Sequence, residues 1–422
     1  MGVRAWLFLV SMLALAGCAV SGPAPSSAPS FYGTPTRLKP ATGSAAVPVE
    51  TGQIALLLPL SGPNAARGAA MRQAAELALG GSTAGLDVRD TGGTPAGAAA
   101  AAGQAISAGA RIVLGPLTAA ETGAVAPVAR RADVPVLAFT SDPAQARPGV
   151  WTLGLTPAEQ VRRLVVAARS DGRSRFAALL PANEFGRAMR EALLAAAASS
   201  GAPAPVVRLH EPGMRAMTPV VKELADYAAR RGPLDAKLRA ARARHDAEGR
   251  QEARDLARAS VPPPPFDALL LADTGEELDE LSSLLAYYDV AAPQVRFLGP
   301  ALWADPATRA AATRALAGAW YAAPDPDYRA GFVDAYQEKF GATPPGLADL
   351  AFDAAAIARV LAQEGRFSNA SLTRSNGFAG ADGPLALTPD GHVHRGLAIF
   401  ELKRGGSALV DKAPRTLAAP GT

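Results

Sequence analysis

The sequence has a single cysteine, few aromatic residues, and no apolar run long enough to cross a membrane. Because Cys18 is the only thiol in 422 residues, a disulfide within the chain is excluded. The apolar run 5–16 spans about a dozen residues, whereas a membrane-spanning helix needs about 20. The net charge of +4 is modest, and basic residues are not massed in one block with aromatics. We therefore expect no binding of nucleic acid.

The motifs of several common enzyme classes are also missing. The sequence has no Gly-x-Ser-x-Gly elbow, no phosphate-binding P-loop and no His-Glu-x-x-His pair. His392 and His394 share one face of a predicted strand, but two ligands without a third make a poor metal site. The sequence therefore predicts a protein without enzymatic activity, metal or cofactor.

The N-terminus has the layout of an export signal. Arg4 precedes the apolar run, small residues follow it, and we assign residues 1–17 to a signal peptide. Leu15-Ala16-Gly17-Cys18 resembles the bacterial lipobox, which implies that Cys18 becomes a lipid anchor. An ordinary signal cleaved nearby, with an incidental cysteine, is the alternative. Ala19 follows the cysteine, and in lipoproteins this implies transport to the outer membrane, facing the periplasm.

The composition of residues 18–50 predicts a lipid anchor followed by a tether. Within 21–50 prolines recur among Ser, Ala and Gly, which is typical of an extended and unpacked chain. At about 3.1 Å per residue this stretch would reach roughly 90 Å. Such a tether is either a simple spacer or a device for reaching a distant partner. At the other end, residues 414–422 are predicted to be a tail.

The body, residues 51–413, alternates short apolar runs with helical patterns. Continuous apolar runs indicate strands that are buried on both faces, and helices of about a dozen residues between them indicate parallel sheets. The fold class is therefore α/β. The runs are 54–58, 112–114, 136–139, 176–180 and 268–271, and the helical patterns are 119–132, 157–170, 184–198 and 276–287.

One charged segment departs from this alternation. Residues 222–258 carry ten basic and seven acidic residues, and apolar anchors are sparse after Leu234. Gly232-Pro233 predicts a break between two helices, and the proline run that follows Val261 ends the segment. We interpret 222–260 as a helical insertion that projects from the body. It is either a solvated connection between strands or a surface for a partner, for which Arg239, Arg242, Arg244, Arg250, Arg254 and Arg258 are the candidate contacts.

Several stretches together carry a family resemblance. They are IALLLPLSGP at 54–63, IVLGPLT at 112–118, VAPVARRADVPVLAFTS at 125–141 and PANEFGRAM at 181–189, with later stretches at 328–340, 350–361 and 383–392. Over about residues 51–405 the chain resembles the periplasmic leucine/isoleucine/valine-binding type of substrate-binding protein. With the lipobox, the tether and the insertion, it looks most like the penicillin-binding protein activator branch, whose lipoproteins stimulate peptidoglycan synthases.

The resemblance implies two Rossmann-like lobes with a cleft between them. Lobe one would comprise about 51–155 and 324–384, and lobe two about 156–323 and 385–413. Ligands of open parallel sheets lie beyond the carboxyl ends of the strands. The candidate cleft residues at these ends are Ser61, Leu117, Thr118, Thr140, Ser141, Glu184, Phe185, Asp273 and Trp303.

In amino-acid-binding relatives, hydroxyl residues at the places of Thr118 and of Thr140 or Ser141 hold the ligand carboxylate. Glu184 and Asp273 are the alternatives for holding its ammonium group. Thr118 is also placed to cap the next helix, and Trp303 to pack at the lobe junction.

Two functions of different class follow from these residues. In the first, a membrane-anchored periplasmic lipoprotein binds and activates a penicillin-binding protein that synthesises peptidoglycan, with the insertion as the docking surface. In the second, the chain is the receptor of an ABC-type importer for amino acids or small amides. The anchor favours the first, because a receptor for an inner-membrane importer gains little from attachment to the opposite membrane.

Overall fold

The computed structural model describes residues 34–40, 53–80, 85–305 and 316–417. Residues 1–33, with the predicted signal and anchor, and 418–422, in the predicted tail, lie outside them. The strands are β1 Thr36–Arg37, β2 Ile54–Leu58, β3 Leu86–Asp90, β4 Ile112–Leu114, β5 Val136–Ala138, β6 Val150–Thr152, β7 Phe176–Pro181, β8 Val206–His210, β9 Ala268–Leu271, β10 Arg296–Gly299, β11 Trp320–Ala323, β12 Phe378–Gly380, β13 Gly383–Leu387, β14 Val393–Arg395, β15 Ala398–Lys403 and β16 Gly406–Asp411.

The α-helices alternate with these strands over most of the chain. They are α1 Ala65–Ala78, α2 Pro95–Ser107, α3 Ala119–Arg131, α4 Pro157–Ser170, α5 Glu184–Ser199, α6 Met214–Leu224, α7 Tyr227–Ala243, α8 Ala247–Arg258, α9 Gly275–Tyr287, α10 Pro326–Phe340, α11 Ala348–Glu364 and α12 Asn369–Leu372. Of the helices in the described ranges, none combines the length and the apolar character needed to cross a bilayer.

The first lobe is built on a parallel five-stranded sheet. Its strands lie in the order β3-β2-β4-β5-β6. Helices α1 and α11 cover one face, with Leu56, Met71 and Ile357 in their core. Helices α2 and α3 cover the other face, where Leu57 is buried. A four-stranded sheet, β1-β12-β13-β14, packs on the first of these cores through Phe378 and its neighbours.

The second lobe repeats the three-layer arrangement on a seven-stranded sheet. Strands β8-β7-β9-β10-β11 are parallel, and β15 and β16 continue the sheet antiparallel. Helices α4 and α5 pack on one face around Leu164 and Leu193, and α6 and α9 pack on the other around Met217 and Leu281. The predicted α/β class with two lobes is confirmed.

The chain passes between the lobes at three places, residues 153–156, 324–325 and 396–397. The last crossing differs from the expected one. We expected 385–413 in lobe two, but β13 and β14 pair with β12, and Leu385 and Val393 pack in the first-lobe core. Residues 385–395 therefore belong with the first lobe, because their apolar side chains face its core.

A buried arginine connects the first crossing with the last. Arg395 is 2% exposed; its Nη2 donates to the Leu153 carbonyl at 2.6 Å, and its Nη1 lies 3.4 Å from Asp382 Oδ2. From the second lobe, Arg162 Nη2 donates to the Arg395 carbonyl at 3.4 Å. Burial raises the pKa of the second-lobe carboxyl Glu159, and the positive charge of Arg395 opposes that rise. The arginine thus interacts with both lobes.

Carboxyl groups crowd the first-lobe side of this arginine. Burial raises the pKa of Asp353 to about 7, although the Ala381 amide donates to it at 2.6 Å. Burial also raises the pKa of Asp382 well above its ordinary value; Arg395 opposes the rise, and the neighbouring carboxyl of Asp349 adds to it. These aspartates therefore keep their protons to higher pH than exposed aspartates do.

The predicted tether is not unpacked along its whole length. Residues 36–37 form β1, which pairs in parallel with β12, and Leu38 is 6% exposed in the first-lobe core. The prediction of an unpacked chain over 21–50 is therefore wrong for residues 34–40. Composition failed here because the contacts are main-chain hydrogen bonds to distant residues and one buried leucine, which leave no compositional signal.

The charged insertion is a helical hairpin whose break lies later than predicted. Helix α7 continues through Gly232 and Pro233, and the turn to α8 lies at Arg244–Asp246, where His245 has a φ of 54°. The predicted break at Gly232-Pro233 is therefore wrong. A proline inside a helix removes one main-chain hydrogen bond and crowds the carbonyl four residues before it, which can kink a helix without ending it.

One buried guanidinium fixes the base of the hairpin. Arg230 is 7% exposed, and among the described residues it donates only to main-chain carbonyls. The acceptors are Pro262 at 2.7 Å, Ala225 at 3.0 Å, Asp289 at 2.8 Å and Tyr288 at 3.3 Å. A methionine would fill similar space but would leave these carbonyls without their donor.

We expect Arg230→Met to lower the free energy of unfolding by about 2–3 kcal/mol, because buried acceptors lose their hydrogen bonds. Its neighbour Arg231 forms a surface ion pair with Asp235 at 2.9 Å. Arg231→Met is thus the matched control, with an expected loss of about 0.5 kcal/mol or less. Urea unfolding measures both, and equal losses would contradict the anchoring role.

Candidate functional site

The strand order brings the predicted cleft residues to one edge of each sheet. In the first lobe the order reverses between β2 and β4, and Ser61 and Thr118 follow these strands. In the second lobe it reverses between β7 and β9, which Glu184 and Asp273 follow. Such reversals create the crevice in which open α/β sheets bind ligands. The predicted cleft residues of each lobe therefore lie at the sheet edge where a ligand of that lobe would be expected.

The hydroxyl of Thr118 is used within the first lobe. Its Oγ1 accepts from the Glu121 amide at 3.3 Å and donates to Glu121 Oε2 at 2.7 Å, in a capping box of α3. Glu121 is fully buried, and its other oxygen accepts from Thr91 Oγ1 at 2.6 Å. Thr118 has no second hydrogen for a ligand carboxylate. Leu117, beside it, is half-buried against the first-lobe core.

Three other hydroxyl residues lie at the same edge. Thr140 is 7% exposed, and its Oγ1 accepts from the Asp142 amide at 3.1 Å. Its own hydrogen has no acceptor in the part of the chain that the structure describes, so it is available to a ligand. Ser141 is exposed. Ser61 is also exposed, and its hydrogen bond to Asp90 lowers the pKa of that carboxyl. Of the predicted carboxylate-binding residues, Thr140 and Ser141 are therefore better placed than Thr118.

In the second lobe Asp273 forms a buried pair that the sequence did not reveal. His210 Nε2 lies 3.3 Å from Asp273 Oδ2, and His210 Nδ1 lies 3.2 Å from the Glu211 carbonyl. Both ring nitrogens face acceptors, so the doubly protonated imidazolium satisfies both contacts. Burial alone would lower the pKa of His210, but the hydrogen bond and charge of Asp273 outweigh it and raise that pKa.

The remaining second-lobe candidates differ in accessibility. Trp303 is fully buried, donates from Nε1 to the Asp273 carbonyl at 3.0 Å, and would lie 2.4 Å from a Cβ at Gly299. It packs in the core, so the expected contact with a cleft ligand is wrong for this structure. Phe185 is half-buried against the second-lobe core. Glu184 is exposed, without an ion-pair partner in the described parts of the chain.

The two predicted histidines at strand β14 differ in their exposure to solvent. His392 is exposed, whereas burial, together with the positive charge of Arg162, lowers the pKa of His394 to about 4. Across 34–40, 53–80, 85–305 and 316–417, no group of three or more His, Cys, Asp or Glu side chains could hold a metal ion.

The hairpin of α7 and α8 presents all six predicted arginines to solvent. Arg244 pairs with Glu252 at 3.0 Å. The other five form no ion pair with any described residue, and three of them, Arg250, Arg254 and Arg258, recur every four residues along α8. Like charges at this spacing repel by about 0.2–0.5 kcal/mol per pair. The hairpin therefore carries an excess of unpaired positive charge.

An open cavity of about 560 Å³ lies on the same hairpin. Its lining residues are Arg244, Glu248, Gln251, Glu252, Asp255 and Leu256. None of them is a predicted cleft residue. Of the six arginines only Arg244 lines the cavity, beside three acidic residues. At the cleft edges, by contrast, Thr118 and Asp273 are bonded to other residues of their own lobes.

The buried pair at His210 predicts a pH-dependent stability. Because its folded-state pKa is raised above 6.5, the pair should stabilise the fold fully below pH 6.5 and lose its effect as pH rises through the raised pKa. His210→Gln should remove this dependence and cost about 2 kcal/mol in acid. Urea unfolding between pH 5 and 9 measures it, with exposed His392→Gln as the control. Parallel pH profiles for wild type and His210→Gln would refute the prediction.

Comparison with known proteins places this geometry in a family. Residues 51–407 match the model of the periplasmic binding protein family. No curated protein matches the sequence significantly.

Solved structures share the fold at low sequence identity. A putative branched-chain amino acid ABC transporter protein from Rhodospirillum rubrum is 19% identical, with a TM-score of 0.64, and the match covers 85% of this chain and 99% of that one. The C-domain of LpoA from Haemophilus influenzae, described as a regulator of PBP1A, is 18% identical, with a TM-score of 0.60 and coverage of 85% and 99%.

Full-length LpoA from the same organism is 19% identical, with a TM-score of 0.62; the match covers 86% of this chain but only 59% of that one. Similarity at these identities establishes the fold, and the family match extends over most of the chain. The chain therefore belongs to the periplasmic binding protein family, with the type I fold.

Proposed function

We propose that this protein is a lipid-anchored regulator, attached to the outer membrane and facing the periplasm, that binds and activates a peptidoglycan synthase of the penicillin-binding class. The anchor at Cys18 rests on the sequence pattern, since that residue lies outside the described ranges. In this proposal the protein acts by contact, and no bond-breaking step is assigned to it.

The observation that carries the proposal is the contrast between cleft and hairpin. At the cleft edges, Thr118 and Asp273 are bonded to residues of their own lobes. An amino acid needs donors for its carboxylate and an acceptor for its ammonium group. Because the Thr118 hydroxyl and the Asp273 carboxylate are already hydrogen-bonded, a receptor site at these edges has fewer groups for binding either end of the ligand. On the hairpin, by contrast, Arg250, Arg254 and Arg258 are exposed and form no ion pair with any described residue. Their hydrogen bonds within the described ranges, from Arg250 to the His245 carbonyl and from Arg254 to Gln251, stay within the hairpin. Arginine is enriched at the centres of protein interfaces.

The charge of the hairpin suggests the chemistry of the partner surface. Exposed guanidiniums bind carboxylates with paired hydrogen bonds, so the docking face of the synthase should be acidic. Binding the active conformation more tightly than the inactive one would shift the synthase toward activity. A tenfold preference, worth about 1.4 kcal/mol, is enough to change a mixed population substantially.

The solved structures are compatible with this proposal without deciding it. LpoA, whose C-domain is described as a regulator of PBP1A, shares the fold. The similarity to the Rhodospirillum rubrum transporter protein is of the same degree.

A receptor for an amino acid or a small amide is therefore the second candidate. Thr140 keeps a hydrogen for a ligand carboxylate, and Glu184 is exposed at the start of α5. These two residues would hold opposite ends of an amino acid if the lobes closed on it.

Charge reversal on the hairpin tests the docking surface. We expect the triple variant Arg250→Glu, Arg254→Glu, Arg258→Glu to bind the synthase at least about tenfold more weakly, because three charge-assisted contacts become repulsive. The matched control is Arg169→Glu, Arg187→Glu, Arg190→Glu, which changes the net charge equally at exposed helical positions. Surface plasmon resonance with the purified synthase measures both. Equal affinities for the two variants would contradict docking through the hairpin.

Calorimetry against a panel of amino acids and small amides separates the two candidates. A regulator that acts by contact should give no binding heat. Micromolar binding that is lost in Thr140→Val would favour the receptor instead, because that substitution removes the available hydroxyl and keeps the side-chain volume.

A further inference from the structure

A short strand inside the predicted tether is docked on the first lobe. Thr36–Arg37 pairs in parallel with β12, at the edge of the four-stranded sheet. The Thr36 amide donates to the Gly377 carbonyl at 3.1 Å, and the Leu38 amide donates to the Ala379 carbonyl at 2.7 Å. The main chain of this segment is therefore hydrogen-bonded to the body on both sides of Arg37.

Side chains from the body hold the same segment. Leu38 is 6% exposed and packs in the first-lobe core. Arg359 donates from Nη2 to the Lys39 carbonyl and from Nη1 to the Ala78 carbonyl, both at 2.6 Å, so it connects the segment to α1. Asn376 Nδ2 donates to the Thr34 carbonyl at 3.3 Å. These contacts extend beyond the ladder of the strand itself.

The local sequence suits a docked edge strand. Pro35 and Pro40 bracket it, and proline restricts the chain before docking, so less conformational entropy is lost. Proline also occurs in edge strands, because its nitrogen carries no hydrogen and therefore needs no acceptor on the side of the strand that faces solvent. The docked strand in turn covers the edge of β12, which would otherwise expose unpaired main-chain groups.

We infer that residues 34–40 form a docking strand that fixes where the membrane tether leaves the body. The functional part of this inference rests on the proposed anchor at Cys18. Only the residues before the docking strand would then set the reach of the tether, about 40 Å for residues 21–33 in polyproline geometry instead of roughly 90 Å for residues 21–50. The first lobe would be the part held to the membrane, and the hairpin of the second lobe would be left to meet the partner.

Trypsin tests the docking itself. Arg37 is the one basic residue between Cys18 and Arg67 that proline does not follow, so cleavage there separates the predicted anchor from the body. We express the rate of cutting at the Arg37–Leu38 bond relative to the rate for the same bond in the urea-unfolded chain, which removes the direct effect of residue 38 on trypsin. This relative rate should be low in wild type and at least about tenfold higher in Leu38→Asp, because proteolysis follows the open population. Val47→Asp, the same kind of change further along the tether, is the control and should behave as wild type.

The cleaved product is identified by its mass, so this assay does not need the protein to be lipid-anchored. Circular dichroism of Leu38→Asp establishes that the body remains folded. Wild type cut as fast as Leu38→Asp would overturn the inference.

Insertions into the tether test whether the docking strand sets the distance between the body and the membrane, and they leave the protein core unchanged. Twenty Gly/Ser residues are inserted after Ser30 in one variant and after Ser44 in the other, on opposite sides of the docking strand. On lipid bilayers, energy transfer from a dye on the body to a dye in the bilayer measures the height of the body above the bilayer. The first insertion should raise the body by about 10 Å, and the second should leave its height unchanged.

Equal increases in height in the two variants would overturn the inference that residues 34–40 are docked on the body. Protein that does not associate with the bilayer would contradict the proposed anchor, while the trypsin assay would still decide on the docking.

Discussion

The structure depends on one buried guanidinium where the lobes meet. Arg395 lies on β14 of the first lobe, donates to the Leu153 carbonyl at the first crossing, and faces Asp382. Glu159 and Arg162, from α4 of the second lobe, interact with the same residue. A buried charge must be paired to be tolerated. Arg395, next to the last crossing, therefore connects it with the first crossing in one polar cluster that includes groups of both lobes.

This cluster distinguishes the lobe junction from the cleft edges. At the junction, charges from both lobes meet in the interior. At the cleft edges, polar groups are bonded within their own lobes, as in the Thr118–Glu121 box and the His210–Asp273 pair. On the α7–α8 hairpin, by comparison, five exposed arginines form no ion pair with any described residue. This arrangement of polar groups suits a protein that is anchored to a membrane and binds its partner through its surface.

The sequence predicted the features that depend on local pattern. Ile54–Leu58 is apolar at every residue, and it forms a strand buried on both faces. Thr118 precedes a helix and caps it. The pairing of His210 with Asp273 joins residues 63 positions apart, and that of Thr36 with Phe378 joins still more distant ones, so neither leaves a local signal. The hairpin turn was misplaced because Pro233 is accommodated within α7.

The most direct test of the proposed regulation is the rate of glycan polymerisation by the purified peptidoglycan synthase of the same cell, measured with its lipid-linked substrate in vesicles. We predict that adding this protein raises the rate, that the effect saturates near one molecule per synthase, and that no small ligand is required. An unchanged rate at saturating protein, or a rise that appears only with an added amino acid, would contradict it.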